Sequence, residues 1–164
     1  MSSSFCNLLY HIVFSTKDRE PWMAASIRSR IHEYLGGAIR GEGGVALIVN
    51  GTADHVHILA RLRQDKAVSK LVGEIKANSS GWISRTFSDA PGFAWQEGYG
   101  AFTVSESQVP KVRRYIERQE EHHRTVSFLE VPRVPLRFTR GFTPSRLRRW
   151  APGRTEKSAG GAPE

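Results

Sequence analysis

The sequence has very little cysteine and no long hydrophobic run, and each shortage excludes a class of protein. Cys6 is the only cysteine among the 164 residues, which excludes an internal disulfide and a cysteine-based zinc site and fits a reducing cytoplasm. No stretch reaches the roughly 18 consecutive apolar residues of a membrane span, so no membrane partner is expected. The first residues, MSSSFCNLLYHIVFSTK, lack a basic start and a small-residue cleavage site, which predicts no signal peptide.

Acidic residues are outnumbered by basic ones, and the resulting positive charge is unevenly distributed. The formal net charge is +8. Residues 132–164 contain eight basic and two acidic residues, a net of +6, so the rest of the chain has a net of only +2. Such a balance favours an anionic partner only weakly, because net charge identifies neither a fold nor a reaction. Residues 131–164 also hold five of the eight prolines, and we predict an extended or disordered basic tail there, after one domain at 1–130.

Apolar periodicity in residues 1–130 predicts four strands and three helices. The predicted strands are 5–16, 45–50, 55–62 and 93–105, and the predicted helices are 22–40, 67–87 and 105–124. Ser105 and Gln108 have the spacing of a capping box at the start of the third helix, and Pro110 fits its first turn. The order β-α-β-β-α-β-α is typical of the ferredoxin-like α+β sandwich, whose antiparallel sheet carries two helices on one face and leaves the other face available.

The stretch DHVHIL at residues 54–59 places two of the six histidines one residue apart in a predicted strand. His55 and His57 then project from the same face of the sheet, while Val56 and Ile58 project from the other. Two imidazoles on one face of a rigid strand form half of a site for a divalent metal ion. Two partly buried histidines with ordinary hydrogen bonds would have the same spacing, so the pair alone leaves both interpretations open.

The third predicted helix carries residues that would complete such a site. Tyr115 and Gln119 stand at positions i and i+4 of the stretch YIERQ, so they are neighbours on one face of that helix. Gln119 can offer its amide oxygen to a metal ion. Tyr115 can act as a nucleophile beside that ion, because tyrosine is one of the side chains that form covalent intermediates. Ordinary packing of a tyrosine at the edge of an apolar stripe is the alternative.

Four stretches together resemble the single-tyrosine HUH transposases, the small transposases of IS200-like bacterial insertion sequences and of the REP-associated tyrosine transposase group. The stretches are YHIVFSTKDR at 10–19, DHVHIL at 54–59, WQEGYGAFTVSES at 95–107 and YIERQEEHHR at 115–124. The resemblance runs in order over about residues 5–130, and its most specific feature is His-hydrophobic-His followed by Tyr-x-x-x-Gln. The proline- and arginine-rich tail departs from the acidic, aromatic C-terminal helix that is usual in the family.

The resemblance implies a fold, a reaction and partners. It implies an RRM-like fold with the catalytic helix near the sheet face opposite the other two helices. The implied reaction is the cutting and rejoining of single-stranded DNA through a covalent 5′-phosphotyrosine intermediate on Tyr115, with Mg²⁺ or Mn²⁺ held by His55, His57 and Gln119. The implied partners are hairpin-forming DNA ends and a second copy of the chain in a homodimer, and the implied location is the bacterial cytoplasm.

Other polar and aromatic residues are candidates for contact with DNA. Five basic residues are candidate phosphate contacts, although exposed helical cations are usually only solvated: Lys70, Lys76, Arg113, Arg114 and Arg118. Three aromatic residues could stack on unpaired bases, with core packing the stronger expectation for at least two of them: Trp95, Tyr99 and Phe102. His122 and His123 are interpreted mainly as exposed helical residues.

Several residues near the histidine pair and in the predicted core have plainer interpretations. Asp54 could orient a neighbouring histidine or could only form the turn before the strand. His11 is interpreted as a structural residue of the first strand. Trp22 and Trp82 are predicted to lie in the core.

Two further functional interpretations remain open at this level. The first is a single-stranded nucleic-acid-binding module with a decayed or repurposed active site, which the unusual tail favours and the intact His55, His57, Tyr115 and Gln119 disfavour. The second is another HUH nickase, such as a replication initiator or a plasmid relaxase. Those proteins usually have longer chains or a second tyrosine, and this chain offers only Tyr115 on the relevant helix.

Overall fold

The structure, a computed structural model, describes residues 5–119 and contains the strands and helices in the predicted order. The elements are β1 (Leu8–Ser15), α1 (Ala25–Gly41), β2 (Val45–Gly51), β3 (His55–Leu62), α2 (Val68–Thr86), β4 (Gly100–Thr103) and α3 (Val109–Glu117). The predicted ferredoxin-like class is therefore confirmed. The predicted tail at 131–164 and the last part of the predicted third helix, with His122 and His123, lie outside the described residues.

The four strands form one antiparallel sheet in the order β2-β3-β1-β4. β1 and β3 pair along their whole length, from Leu8 opposite Leu62 to Ser15 opposite His55. β2 pairs with the other side of β3, and β4 adds a short edge next to β1. The strand that carries His55 and His57 is therefore held by hydrogen bonds on both sides.

A tight turn joins β2 to β3 directly before the histidine pair. The backbone N–H of Thr52 donates to the carbonyl of His55 at 3.0 Å. A Cβ atom on Gly51 would lie 2.1 Å from the same carbonyl oxygen, which is far inside a van der Waals contact. Glycine is required here because of this close approach of two backbones.

Helices α1 and α2 cover one face of the sheet and form the main hydrophobic core with it. The inward residues of α1 follow helical spacing and are fully buried: Ile31, Leu35 and Ile39. The strands and α2 contribute aliphatic residues and one phenylalanine to the same cluster: Ile12, Phe14, Val56, Ile58, Leu71, Val72, Ile75 and Ile83. None of the helices within residues 5–119 has the length and apolar character that a membrane crossing requires.

Helix α3 packs against the opposite face of the sheet through a smaller cluster. The buried members of this cluster are Leu59, Val112 and Ile116. The pairing of β2 with β3 shifts register between Ala46 and Ile48. This bulge lets the consecutive residues Leu47 and Ile48 both pack against the cluster, so β2 contributes two apolar side chains beneath α3.

The predicted strand at 93–105 is wrong in its first part. Only Gly100–Thr103 forms β4, and Trp95 makes no more than an isolated bridge with Thr16. Phe93 and Trp95 enter the main core from a loop, with their ring centroids 4.8 Å apart. The indole N–H of Trp95 donates to the hydroxyl of Ser79 at 2.8 Å. This loop is buried, so its composition is apolar and resembles the composition of a strand.

The predicted start of the third helix needs a similar correction. A short 3₁₀ turn occupies Glu106–Gln108, and the α-helix begins at Val109 with Pro110 in its first turn as predicted. Ser105 makes no side-chain capping bond. Its Oγ lies 3.2 Å from the Oγ of Ser107 instead, so the hydroxyl is used within the turn and the predicted capping box is not formed.

Candidate active site

The two histidines of β3 lie side by side and buried on the face that α3 covers. His55 is 1% exposed and His57 is 4% exposed. Their ring centroids are 5.1 Å apart, with the ring planes nearly perpendicular. Val56 and Ile58 point into the main core on the other side, as the alternation of a strand predicts. The backbone therefore fixes the direction of both imidazoles.

A carboxylate orients the first histidine of the pair. Nδ1 of His55 lies 2.7 Å from Oδ1 of Asp54 and 2.8 Å from the hydroxyl of Thr52. Burial by itself raises the pKa of Asp54, but hydrogen bonds from His55, Thr52 and Arg19 outweigh it and hold that pKa well below its ordinary value. Asp54 is thus an ionised acceptor, so the proton of His55 sits on Nδ1 and the ring presents the lone pair of Nε2.

A neutral imidazole orients the second histidine. Nε2 of His11 lies 2.9 Å from Nδ1 of His57, and the two rings stack with centroids 5.1 Å apart. Burial lowers the pKa of His11 to about 4, which keeps this ring neutral near pH 7. A neutral His11 can accept the Nδ1 proton of His57, which again leaves the lone pair on Nε2 of the β3 histidine. The interpretation of His11 as merely structural missed this contact.

Tyr115 on α3 lies beside the histidine pair, and Gln119 follows just after the end of that helix. The ring of Tyr115 lies edge-on to His57, with centroids 5.6 Å apart, and 6.0 Å from the ring of His11. Gln119 is fully buried, and its Nε2 donates to the carbonyl of Tyr115 at 3.2 Å. Since that bond uses the amide nitrogen, Oε1 points elsewhere, and it has no hydrogen-bond partner in the described part of the chain.

Asn50 attaches the end of α3 to the sheet. It lies opposite His57 in the β2–β3 register. Its Nδ2 donates to the carbonyl oxygens of Ile116 and Glu117 at 2.8 and 3.2 Å. Those carbonyls belong to the last turn of α3, where carbonyl groups often bond to partners outside the helix. Sequence reasoning missed Asn50, because only the register reveals that it faces this helix.

The side chains of His55, His57 and Gln119 are of types that suit a divalent metal ion. The Nε2 atoms of His55 and His57 and the Oε1 atom of Gln119 are all buried. Two imidazoles and one neutral amide oxygen leave further coordination positions for water and a phosphate oxygen. No group of three or more His, Cys, Asp and Glu side chains that could hold a metal ion occurs among residues 5–119. The amide of Gln119 is a ligand type outside that group.

The basic residues predicted to contact DNA divide between the two faces of the sheet. Lys70 and Lys76 belong to α2, on the face away from the histidines. Lys76 donates to the carbonyl oxygens of Gln96 and Gly98 at 2.6 and 2.7 Å, and burial lowers its pKa. On α3, Arg113 donates to Glu117 at 3.0 Å. Arg114 is exposed on the same helix as Tyr115, and Arg118 is exposed directly after that helix ends.

The aromatic candidates also differ in their placement. Trp95 is a core residue, and Trp22 and Trp82 are partly buried against the same cluster, as predicted. Tyr99 and Phe102 are exposed to 40% and 45%. Phe102 lies opposite His11 on the edge strand, with ring centroids 6.1 Å apart. Phe102 is therefore the aromatic candidate that borders the histidine site.

Sequence comparisons place this chain within a known group of proteins. The family model described as "Transposase IS200 like" matches residues 4–119, well over half of the chain. The chain is 28% identical to the transposase of insertion sequence element IS200 from Salmonella typhimurium, over 81% of this chain and 90% of that protein. It is 25% identical to the ISDra2 transposase TnpA of Deinococcus radiodurans, over 70% of this chain and 85% of that protein.

Solved structures share the same fold. A Deinococcus radiodurans R1 protein described as a transposase superposes with a TM-score of 0.60 at 22% identity, covering 73% of this chain and 95% of that one. A REP-associated tyrosine transposase bound to a REP hairpin superposes with a TM-score of 0.56 at 16% identity, covering 100% of this chain and 99% of that one. The resemblance inferred from the four sequence stretches is confirmed by these matches, and the chain belongs to the IS200-like transposase family.

Proposed function

We propose that this transposase cuts and rejoins single-stranded DNA with Tyr115 as the nucleophile and with Mg²⁺ or Mn²⁺ held by His55, His57 and Gln119. The observation that carries the proposal is the placement of Tyr115. Its ring lies 5.6 Å from that of His57, and it precedes by four residues Gln119, whose amide oxygen is buried. A nucleophile beside two buried imidazoles, with a buried amide oxygen close by in sequence, supports this reaction.

The proposed cleavage is a transfer of the phosphoryl group from DNA to tyrosine. The Oη atom of Tyr115 bonds to the phosphorus, the bond from phosphorus to the 3′ oxygen breaks, and the strand leaves with a free 3′-OH. An ordinary phenol has a pKa of about 10, so Tyr115 must lose its proton as it attacks. The 5′-phosphotyrosine bond conserves the phosphodiester, and a 3′-OH from another strand can reverse the step without ATP.

The protein residues have separate tasks in this step. A bound divalent ion supplies charge neutralisation at the phosphate and eases departure of the 3′ oxygen. His55 and His57 are held by β3, with Asp54 and His11 fixing their tautomers. Gln119 is oriented by the carbonyl of Tyr115. Tyr115 is near the end of α3, and Gln119 follows two residues after the helix ends. Docking of α3 therefore positions the nucleophile and the proposed third ligand together.

The proposed partners are single-stranded DNA with a hairpin at the element ends and a second copy of the chain. A hairpin is suggested by the fold neighbour that was solved with a REP hairpin. Arg114 and Arg118 are the proposed backbone contacts, since they are exposed on α3 and directly after its end and extended basic side chains there can reach DNA phosphates. Lys70 and Lys76 are left out of this proposal because α2 lies across the sheet from Tyr115.

The test is covalent capture of DNA by the purified protein. The protein is incubated with Mn²⁺ or Mg²⁺ and end-labelled single-stranded DNA that carries the ends flanking its own gene, and the products are separated on a denaturing gel. A metal-dependent protein–DNA band is expected. Tyr115→Phe should abolish it, because the phenol oxygen is the attacking atom, and His57→Ala should weaken it strongly.

A matched control separates the nucleophile from tyrosine in general. Tyr34→Phe removes a phenol on α1 that stacks on Trp82, across the sheet from the site, and should leave the band unchanged. A band that persists in Tyr115→Phe would contradict the proposed nucleophile. Absence of any band from a protein that still shifts single-stranded DNA in a native gel would favour a binding module with an inactive site.

A further inference from the structure

The turn between β1 and α1 adopts a conformation that its residues do not favour. Asp18 and Arg19 have φ angles of 54° and 58°, in the left-handed region that favours glycine. A non-glycine residue in this backbone region is uncommon and persists only where its surroundings impose the conformation. Two such residues in succession indicate that contacts with neighbouring residues impose the shape of this turn.

The surroundings of the turn do impose its shape. The backbone N–H of Lys17 donates to the carbonyl of Ala94 at 2.9 Å, and that of Asp18 donates to the side chain of Gln96 at 2.8 Å. The hydroxyl of Thr16, a fully buried residue, bonds the carbonyl oxygens of Glu20 and Asp54 at 2.6 and 3.0 Å. The turn is thus tied to the loop before β4 and to the residue directly before the histidine strand.

The turn directs the side chain of Arg19 onto Asp54. The Nε and Nη2 atoms of Arg19 lie 3.0 and 2.6 Å from Oδ2 of Asp54. The other carboxylate oxygen, Oδ1, lies 2.7 Å from both the Thr52 hydroxyl and Nδ1 of His55. Each oxygen of this carboxylate therefore has its own donors, and rotation of the carboxylate would break contacts on both sides.

We propose that Arg19 is a positioning residue of the metal site, which holds Asp54 so that His55 keeps its proton on Nδ1 and its lone pair on Nε2. The proposal rests on the proposed metal-dependent function. Outer contacts of this kind set the tautomer and orientation of a metal-binding histidine. Without Arg19, Oδ2 loses the two donor atoms described above, the carboxylate can rotate, and the hydroxyl of Thr52 remains as a second partner for Nδ1 of His55.

The second histidine supplies an internal control. His57 is oriented by His11 through a separate contact at 2.9 Å, and Arg19 takes no part in it. A change at Arg19 should therefore alter the ring of His55 and leave the ring of His57 as it is. A general loss of structure would affect both rings, so the two histidines distinguish positioning from unfolding.

The first measurement needs no metal. Long-range ¹H–¹⁵N NMR of the histidine-labelled, metal-free protein reports which ring nitrogen carries the proton. The native protein should show the Nδ1–H tautomer for both histidines. Arg19→Gln should produce a mixture of tautomers at His55 alone, and Arg19→Lys, which keeps the charge but not two donor atoms, should give a smaller change. An unaltered His55 in a folded Arg19→Gln protein would overturn the proposal.

The second measurement is the affinity for Mn²⁺, followed by electron paramagnetic resonance of the free ion. Arg19→Gln should weaken binding by about tenfold, the lower end of the effect expected for outer contacts. Arg63→Gln is the matched control, because Arg63 makes a similar contact with Asp65 away from the site, and it should change affinity by less than about twofold. Equal losses in Arg19→Gln and Arg63→Gln would contradict the proposal.

The backbone turn can be tested with Arg19 and Asp54 both present. Asp18→Val places a β-branched residue where φ is positive, which such residues tolerate poorly, and it should reproduce the Arg19→Gln result. Asp18→Gly should retain the native tautomer and affinity. A native protein that binds no Mn²⁺ but shows the His55 change in Arg19→Gln would refute the proposed metal function while leaving the role of Arg19 in place.

Discussion

The two faces of the sheet differ in what covers them and in what they contain. The face under α1 and α2 is a continuous apolar core that includes Ile12, Ile58 and Leu35. The face under α3 has a smaller apolar cluster around Leu59, Val112 and Ile116, beside a group of buried polar side chains around His55 and His57. The comparison teaches that most of the stability comes from one face, while the other face carries the candidate chemistry.

The difference follows from the alternation of strand residues. Along β3, each residue that faces α1 and α2 is followed by one that faces α3, so the same strand contributes side chains to both faces of the sheet. Buried histidines and an amide are costly to place in an apolar core unless they are hydrogen-bonded. Confining them to the α3 face keeps histidine and amide side chains out of the buried cluster beneath α1 and α2 within residues 5–119, and α3 packs against the sheet through the smaller cluster.

The largest expected effect comes from two consecutive residues of β3 that face opposite ways. Ile58→Ala should lower the free energy of unfolding by about 2–5 kcal/mol, as usual for a large aliphatic residue in a packed core. Leu59→Ala should cost toward the lower end of that range, because α3 can shift into part of the space. Hydrogen exchange should show faster opening throughout the protein for Ile58→Ala, and mainly in α3 for Leu59→Ala.

Equal losses of stability and the same exchange pattern in both variants would contradict the proposed division between the faces. The pair is matched because the two residues are neighbours on one strand and are both fully buried. Urea unfolding at neutral pH gives the free energies, and Mn²⁺ affinity of the folded variants can be measured alongside. We expect Leu59→Ala to weaken metal binding more than Ile58→Ala does.

A smaller effect is expected at Asn50, which attaches α3 to β2. Asn50→Ala removes two hydrogen bonds to the last turn of that helix, and about 1 kcal/mol of stability should be lost. Amide exchange should accelerate within α3, and the yield of covalent DNA complex should fall because Tyr115 and Gln119 are less firmly docked. Asn78→Ala, at an exposed position of α2, is the control and should change neither quantity.

Part of the fold could be predicted from the sequence because it depends on local patterns. The helical spacing of Ile31, Leu35 and Ile39 and the alternation in 55–62 gave α1 and β3 nearly at their observed positions. The segment around Phe93 and Trp95 was predicted as a strand because its composition fits either a strand or a buried loop. That ambiguity is settled by contacts with Ser79 and Phe14 from distant parts of the chain, which no local pattern contains.

The candidate site shows the same limit. His55, His57, Tyr115 and Gln119 were predicted from spacing and resemblance. The structure places Tyr115 beside the two histidines and Gln119 buried just after α3, and the roles of all four remain predictions. The contacts that support them were mostly missed. Those of His11 and Asn50 depend on which residues of neighbouring strands lie opposite each other, and that of Arg19 depends on a left-handed turn at two non-glycine residues, which the sequence KDR does not suggest.

The smallest expected effect concerns the exposed cations on the two sides. Arg114→Gln on α3 should weaken binding of single-stranded DNA a few-fold, and it should reduce the slope of log affinity against log salt by about 0.7, the value for one phosphate contact on a single strand. Lys70→Gln on α2 should change neither. Fluorescence anisotropy at several salt concentrations measures both. A smaller slope for Lys70→Gln with no change for Arg114→Gln would place the DNA on the other face.

The alternation along β3 also constrains how the gene can change. A substitution on this strand affects one side chain, but one inserted codon between His55 and Leu62 would move every later residue to the opposite face. The aliphatic side chains that face the main core would then lie beneath α3, and the polar side chains that lie beneath α3 would enter the main core. An added codon in the exposed segment 63–65 would disturb neither face. We therefore expect related genes to vary in length between β3 and α2, and very rarely within the strand.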